Sequence, residues 1–556
     1  VTLLSRFAAA GFKLPPPRTR RVDVERDLRV EMPDGVELLA DHYAPRLAGA
    51  VPTVLLRSPY GRRGGLATVY ALIGRLLAER GNHVVVQSVR GTFGSGGEMD
   101  YKREADDGRA TVAWLSRQSW FDGRLGTFGP SYLGFTQWAL ASSHLPQHRA
   151  MAVQVIGSER RTMVYSGEPL AMDSILSLLH TYATQDAPLL KSLGATRNRQ
   201  KLLAPAYAHL PVGETDRVAT GRTNPIFQEW LSHEDAADPY WEAVDYRGAI
   251  PDLAAPVCMV GGWYDYYLPH LLGDFERLRA AGKQARLLVG PWHHVSLAWV
   301  SEALRQGLEW FEVHLAGHRG DSEAPPVRVF LTGADRWLEM EEWPPPGTEE
   351  VRWHLHAAGA LGRDAPVESS PDAYRYDPAD PTPSVGGTSI SANCGAVDNR
   401  ALEARADVVV YTSAALERDL DVVGAVAADL FVRSSLEHTD FFCRLCDVGV
   451  DGRSTNICDG IVRLKGGRDQ PDAGGVHHVR VEMWPTAHRF LAGNRVRVQV
   501  SSGAHPRFAR NLGTGEPLLT GTAMNVADQE VLHDPAHPSA IILSEMVASA
   551  PGRDGR

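Results

Sequence analysis

The feature that most constrains this chain is the alternation of strand-like and helix-like patterns between its N-terminal region and Val155. Apolar, β-branched runs at Thr53–Ser58, His83–Val89, Leu125–Phe128 and Ala150–Val155 are separated by helical periods at Leu66–Glu79, Glu104–Ser116 and Tyr132–Ser143. Strands that alternate with helices predict βαβ units and a mostly parallel sheet covered by helices.

From about Ser158 to Arg247 the pattern changes. Helical segments such as Ser174–Thr184 and Pro225–Glu234 follow one another without clear strands between them, which predicts a helical insertion. Strand signals return at Val257–Gly261 and Ala285–Gly290 around the helical run Pro269–Ala281, and a further helix is expected at Glu302–Leu315. The stretch Gly320-Asp321-Ser322-Glu323-Ala324-Pro325-Pro326 reads as a linker. Beyond it, Val327–Thr332, Val351–Ala357, Asp407–Thr412, Val426–Arg433, His477–Met483 and Arg495–Ser501 are strand-like with turns between them. Strand upon strand with few helices predicts an all-β sandwich of jelly-roll type.

A chain of 556 residues is too long for one core. The expected organisation is a sheet domain over residues 1–157 and 248–320, a helical cap over 158–247, and a C-terminal β-sandwich over 325–550. The fold class is therefore α/β with an inserted cap and an appended all-β domain.

Within the first domain, Gly129-Pro130-Ser131-Tyr132-Leu133-Gly134 joins a strand to a helix. A nucleophile on such a turn marks the α/β-hydrolases, where small residues flank it because strand and helix pass close together. Gly129 sits two residues before Ser131, as the pattern needs, but Leu133 occupies the usual second glycine position. Serine is also a favoured N-cap, so an ordinary strand–turn–helix is the competing reading.

The rest of the chain favours the chemical reading. A serine hydroxyl needs a base, and the base needs an orienting carboxylate. In this fold both follow the serine, carboxylate first. Val257–Gly261 runs into Gly262-Trp263-Tyr264-Asp265, and Leu287–Gly290 runs into Pro291-Trp292-His293-His294. Asp265 and a histidine thus fall beyond two successive strand ends, where ligand sites of open α/β sheets form. Strand geometry alone leaves His293 and His294 as alternatives.

Other features are bland. The formal net charge of -10 argues against a nucleic-acid partner. The basic residues Arg18, Arg20, Arg21, Arg26 and Arg29 are interleaved with Asp23, Glu25 and Asp27 and read as a solvated arm or edge strand. No apolar run approaches the roughly 20 residues that span a bilayer. Arg6 and Lys13 interrupt the apolar N-terminus, so no secretory signal is expected in the chain as given, although a trimmed precursor stays open. Five cysteines are too few and too unevenly spaced for a disulfide scaffold, so the cytoplasm is the expected compartment. Cys443 and Cys446 lie in a strand-like run and read as buried thiols rather than half a zinc site. Gly91-Thr92-Phe93-Gly94-Ser95-Gly96-Gly97 lacks the spacing of a dinucleotide loop and the lysine of a phosphate loop.

Taken together, these residues resemble the cocaine esterase-like (CocE/NonD) hydrolases, relatives of the X-prolyl dipeptidyl-peptidases, over nearly the whole chain. The family elbow G-x-S-Y-x-G matches Gly129–Gly134, which removes the anomaly at Leu133. Gly262-Trp263-Tyr264-Asp265 resembles the family's acid segment. Gly290-Pro291-Trp292-His293-His294 resembles G-P-W-x-H, which places the base on His294. Arg57-Ser58-Pro59-Tyr60 resembles the loop whose tyrosine donates to the oxyanion. The resemblance thus implies Ser131, Asp265 and His294 as the triad, with the Tyr60 hydroxyl and the Tyr132 N–H as the oxyanion hole. Gly333–Trp337, Trp343-Pro344-Pro345, Asp440-Phe441 and Pro506–Leu512 resemble the family's β-domain, from which no catalytic residue is expected. Ser88 departs from the Asp often found there, which implies a local structural effect.

The implied reaction is hydrolysis of an ester, or a reactive amide, through an acyl-enzyme on Ser131. No metal and no organic cofactor is called for, and the expected partner is a small-molecule ester or amide. Nothing points to a nucleic acid or a membrane, and a homo-oligomer stays open. Related amino-acid ester hydrolases carry carboxylates just after the catalytic Asp. Here Tyr266, Tyr267 and Leu268 follow Asp265, which leans away from amino-acid esters. Trp263, Tyr267 and Trp292 are the candidate substrate-binding wall, with core packing as their competing role. The alternatives are an X-Pro dipeptidyl-peptidase or acylase of the same family, and a catalytically silent binding protein on a hydrolase scaffold.

Overall fold

The computed structural model describes residues 2–62, 67–185, 198–317, 325–391 and 393–546. Of the expected linker, Gly320–Ala324 lies outside the described residues. The chain divides into two compact units. One comprises Val1–Arg161, Leu178–Leu202 and Asp235–Pro326, the other Thr162–Ser177, Leu203–Glu234 and Val327–Arg556. The stretch expected as a cap is shared between them.

The first unit is built on a twisted sheet. Its strands are β1 (Val22–Glu31), β2 (Glu37–Pro45), β3 (Thr53–Ser58), β4 (His83–Ser88), β5 (Leu125–Pro130), β6 (His148–Gln154), β7 (Val257–Tyr264) and β8 (Ala285–His293), in the spatial order β1-β2-β4-β3-β5-β6-β7-β8. β1 pairs antiparallel with β2 and β2 antiparallel with β4, while β4, β3, β5, β6, β7 and β8 are parallel to one another in that order. The basic arm is therefore an edge strand, with Arg29 paired to Glu37 and Arg26 near Asp41.

Side chains alternate across a strand, so β3 and β4 feed two separate cores. Val54, Leu56, Val84 and Val86 join one cluster with Leu76, Leu77, Leu304 and Phe311 from the helices Ala67–Ala78 and Ala298–His314. Leu55 and Val85 face the other way, onto Val112, Leu115 and Leu140 from the helices Glu104–Leu115 and Tyr132–Ala141. Both faces are covered, and every residue of β3 is buried. No strand lies between Gln154 and Val257 among the described residues.

The second unit carries an all-β sheet of eleven strands. Its longest pairing joins Leu420–Ser434 to the antiparallel strand His477–Phe490. Cys443 and Cys446 are buried in the strand Thr439–Val448, and burial pushes the Cys446 thiol up to about 12. The segment Pro506–Leu512 is tied into this unit by ion pairs. Arg507 and Arg444 share Asp459, at 2.6 and 2.9 Å, and Asn511 donates to Asp440.

Candidate active site

The turn at Ser131 is forced by packing. Ser131 has φ 53° and ψ −124°, a conformation rare for a residue with a Cβ. Its N–H donates to the Gln154 carbonyl at 2.9 Å, which fastens the turn to β6. A Cβ on Gly129 would stand 2.4 Å from the Leu133 Cβ, and one on Gly134 would stand 2.3 Å from Ile156 Cγ2. At position 134 the helix presses against Ile156, just beyond β6, so the second glycine is needed there, and position 133 can hold a leucine.

Asp265 follows β7 and is 1% exposed. Its Oδ1 accepts the Tyr267 N–H at 2.8 Å, and its Oδ2 lies 2.8 Å from His294 Nδ1. A carboxylate at Nδ1 fixes the proton there and leaves Nε2 as the acceptor. Nε2 lies 3.2 Å from Ser131 Oγ. Both hydrogen bonds belong to His294, while burial holds its neighbour His293 below the usual imidazole range. The Trp299 indole donates to the His294 carbonyl at 3.2 Å and so restrains the loop.

Tyr60 stands beside this trio. Its ring stacks on that of Tyr70 at 5.9 Å and lies 6.2 Å from that of Tyr182. Burial pushes the phenol up to about 12, helped by the neighbouring Tyr101, while the Ser131 hydroxyl and the Arg160 charge pull it back. It is neutral at any ordinary pH and can only stabilise an anion by donating. Tyr132 is the first residue of its helix, where no intrahelical carbonyl reaches its N–H.

The loop bearing Tyr60 is anchored on both sides by buried arginines. Arg57 donates to Gln87 and pairs with Glu104 at 2.9 Å, and Glu104 also accepts the Tyr132 hydroxyl at 2.5 Å. Arg62 donates to Asp41 at 3.1 Å, Asp27 at 2.7 Å and Ser88 Oγ at 2.7 Å. Ser88 thus contributes a neutral acceptor to an arginine that already holds two carboxylates. Glu104, Arg62 and Arg160 were not expected from the sequence. Only Glu104 carried a signal, as a charged residue opening a helix predicted to pack on the sheet.

The expected aromatic wall divides. The Tyr267 ring lies 5.2 Å from the His294 ring, edge to face. Trp292 packs against Val155, Trp299 and Ala303, and Trp263 is 3% exposed at the end of β7.

Residues 34–296 match the X-Pro dipeptidyl-peptidase (S15 family) model, and residues 321–542 match the X-Pro dipeptidyl-peptidase C-terminal non-catalytic domain. The chain is 33% identical to the cocaine esterase of Rhodococcus sp. (strain MB1 Bresler), across 94% of this chain and 98% of that protein. This chain belongs to the cocaine esterase-like (CocE/NonD) hydrolases. It is an enzyme of that family, with an α/β-hydrolase domain and a C-terminal β domain. Solved structures share its fold. An aminopeptidase from the marine sediment archaeon Thaumarchaeota archaeon superposes with a TM-score of 0.81 at 21% identity, covering 95% of this chain and 96% of that one. An α-amino acid ester hydrolase gives 0.78 at 20% identity, covering 94% and 96%. A CocE/NonD family hydrolase from Staphylococcus aureus gives 0.68 at 18% identity, covering 94% of each chain. Among the described residues no helix is long and apolar enough to cross a membrane, and no cluster of three or more His, Cys, Asp or Glu could hold a metal ion.

Proposed function

We propose that this family hydrolase cleaves carboxylic esters, or reactive amides, by two-step acyl transfer on Ser131. The observation that carries the reading is the continuous contact Asp265–His294–Ser131, at 2.8 and 3.2 Å. His294 takes the Ser131 proton as the oxygen attacks the carbonyl, and Asp265 stabilises the imidazolium. The Tyr60 hydroxyl and the Tyr132 N–H receive the oxyanion. His294 then protonates the leaving group, and water, deprotonated by the same imidazole, releases the acid.

The acyl side suits a neutral, apolar or aromatic group. Tyr266, Tyr267 and Leu268, all buried, follow Asp265 where an amine-binding site would need carboxylates. The buried Arg160 guanidinium, felt at both Tyr60 and Tyr267, repels an ammonium. Trp263, Tyr267 and Trp292 are assigned to substrate binding, with the Tyr267 ring 5.2 Å from that of the base. The family model's own description favours X-Pro dipeptidyl-peptidase activity as the second reading.

In this reading residues 158–247 form a cap on the domain built from 1–157 and 248–320, with 325–550 as the β domain. Cys258, Cys443, Cys446 and Cys458 are free and buried, which supports a reducing, cytoplasmic location.

A panel of aryl esters, anilides and Xaa-Pro anilides, run with the wild type and Ser131→Ala, tests the reading. Ester turnover abolished by Ser131→Ala is the expected result. Undiminished turnover by that variant would overturn the mechanism, and cleavage confined to Xaa-Pro anilides would overturn the esterase reading.

A further inference from the structure

The two groups assigned to the oxyanion stand on different segments. Tyr60 follows β3, and Tyr132 opens the helix that follows β5. One side chain of a third segment holds both. Glu104 opens the helix Glu104–Leu115 and is 2% exposed. Its Oε1 accepts the Tyr132 hydroxyl at 2.5 Å, and its Oε2 lies 2.9 Å from the Arg57 guanidinium. Arg57, on β3 and equally buried, also donates to the Glu104 carbonyl at 2.8 Å and to Gln87 of β4 at 2.9 Å. The grip passes on through the chain. Ser58, next to Arg57, accepts the Tyr60 N–H on its hydroxyl at 3.1 Å.

This double contact calls for a carboxylate. Both partners donate, and a carboxylate offers two acceptor oxygens with no donor of its own. An amide of the same shape satisfies one partner and turns its NH2 on the other. Bonds to an ionised acceptor are also the stronger kind, and the planar guanidinium fork keeps Arg57 from turning. Burial removes the water that could replace a lost partner. An oxyanion hole works through donors already aimed at the point where charge develops, so their mutual placement matters.

We propose that Glu104 is the positioning residue that fixes the two oxyanion donors relative to each other. The inference rests on the reading of Tyr60 and Tyr132 as those donors. Glu104 acts through the Tyr132 side chain on one side and through Arg57 on the other, and takes no part in proton transfer. Its contribution is realised in the transition state, so its loss is felt in kcat with KM little changed.

Hydrolysis of a neutral aryl ester and of its thionoester by the full chain tests this, with competent sites counted by stoichiometric phosphonylation. Sulfur accepts hydrogen bonds weakly, so the ester-to-thionoester ratio of kcat reports the hole and not general stability. Glu104→Gln is expected to lower kcat per competent site on the order of 10²-fold, the scale for a group displaced by about 1 Å, and to shrink that ratio. Tyr132→Phe keeps the ring and the backbone N–H. It is expected to lower kcat by up to about 10-fold with KM held, the size of one hydrogen bond. The two changes together are expected to cost less than the product of their separate effects. Tyr132→Phe carries the test should Glu104→Gln fail to fold. Full kcat per competent site in Tyr132→Phe, or an unchanged ratio in Glu104→Gln, would overturn the positioning role. Tyr60→Phe separates this from the reading beneath it. A kcat lowered on the order of 10²-fold supports that reading, and full kcat would overturn the oxyanion assignment instead.

Discussion

Gly134 lies so close to Ile156 that a Cβ on the glycine would come within 2.3 Å of Ile156 Cγ2. Gly134→Ala is accordingly expected to destabilise the protein by about 1–3 kcal/mol, the usual cost of overpacking a core, and to cut turnover by displacing Ser131. Ile156→Ala opens the space. The double variant is expected to be more stable than the sum of its single changes, which a melting-based double-mutant cycle measures.

Asp265→Asn preserves the shape at His294 but removes the charge that fixes the imidazole proton on Nδ1. The expected result is a kcat lowered on the order of 10³–10⁴-fold, as when a triad loses its correct tautomer. An unchanged melting temperature and unchanged KM would accompany it. A loss below about tenfold would show that Asp265 does not orient the base.

Arg62 is buried against Asp41, Asp27 and Ser88. Arg62→Met leaves the Asp41 carboxylate, itself fully buried, without its closer guanidinium and with Arg26 at 3.8 Å. The expected cost is about 3–5 kcal/mol, the range for breaking a buried ion pair from one side. Arg62→Met with Asp41→Asn is expected to regain part of it in chemical denaturation.

Burial holds several histidines neutral. It lowers His148, which lies 2.9 Å from the Thr127 hydroxyl, from 6.5 to about 4, and lowers His270 likewise to about 4. A native value below the unfolded one means that the unfolded chain binds more protons in acid. This stability is present above pH 6.5 and is lost as pH falls from 6.5 through 4. Each such group contributes a slope of at most about 1.4 kcal/mol per pH unit. Melting temperature should fall across that window, and His148→Gln should flatten the fall. A slope unchanged in the variant would contradict the assignment.

The parallel sheet was legible because its strands are short, apolar and separated by helical periods. β3 is found over the residues expected, and β7 and β8 run a few residues further, to Tyr264 and His293. The order serine, aspartate, histidine could be read from strand ends alone, but the choice of His294 came from the family pattern. The strand Ser454–Leu464 was missed because it is buried on both faces and carries Asp459 and Arg463 inside, which erases the period-two signal. Tyr101, Tyr182 and Arg160 gave no signal either. They meet only in space, and an isolated tyrosine or arginine in a helical stretch looks like any solvated one.

The backbone at Ser131 has a consequence for the history of the fold. A residue with a Cβ at φ 53° and ψ −124° costs of order 1–3 kcal/mol that the surroundings must absorb. Glycine would adopt the same turn without that strain, at the expense of a more flexible unfolded chain. Selection for durability alone would therefore drift toward glycine at position 131, and only selection for turnover opposes it. The position would serve as an honest marker among descendants of this chain: those that keep serine there are still being screened for chemistry, and those that lose it are free to become sturdier.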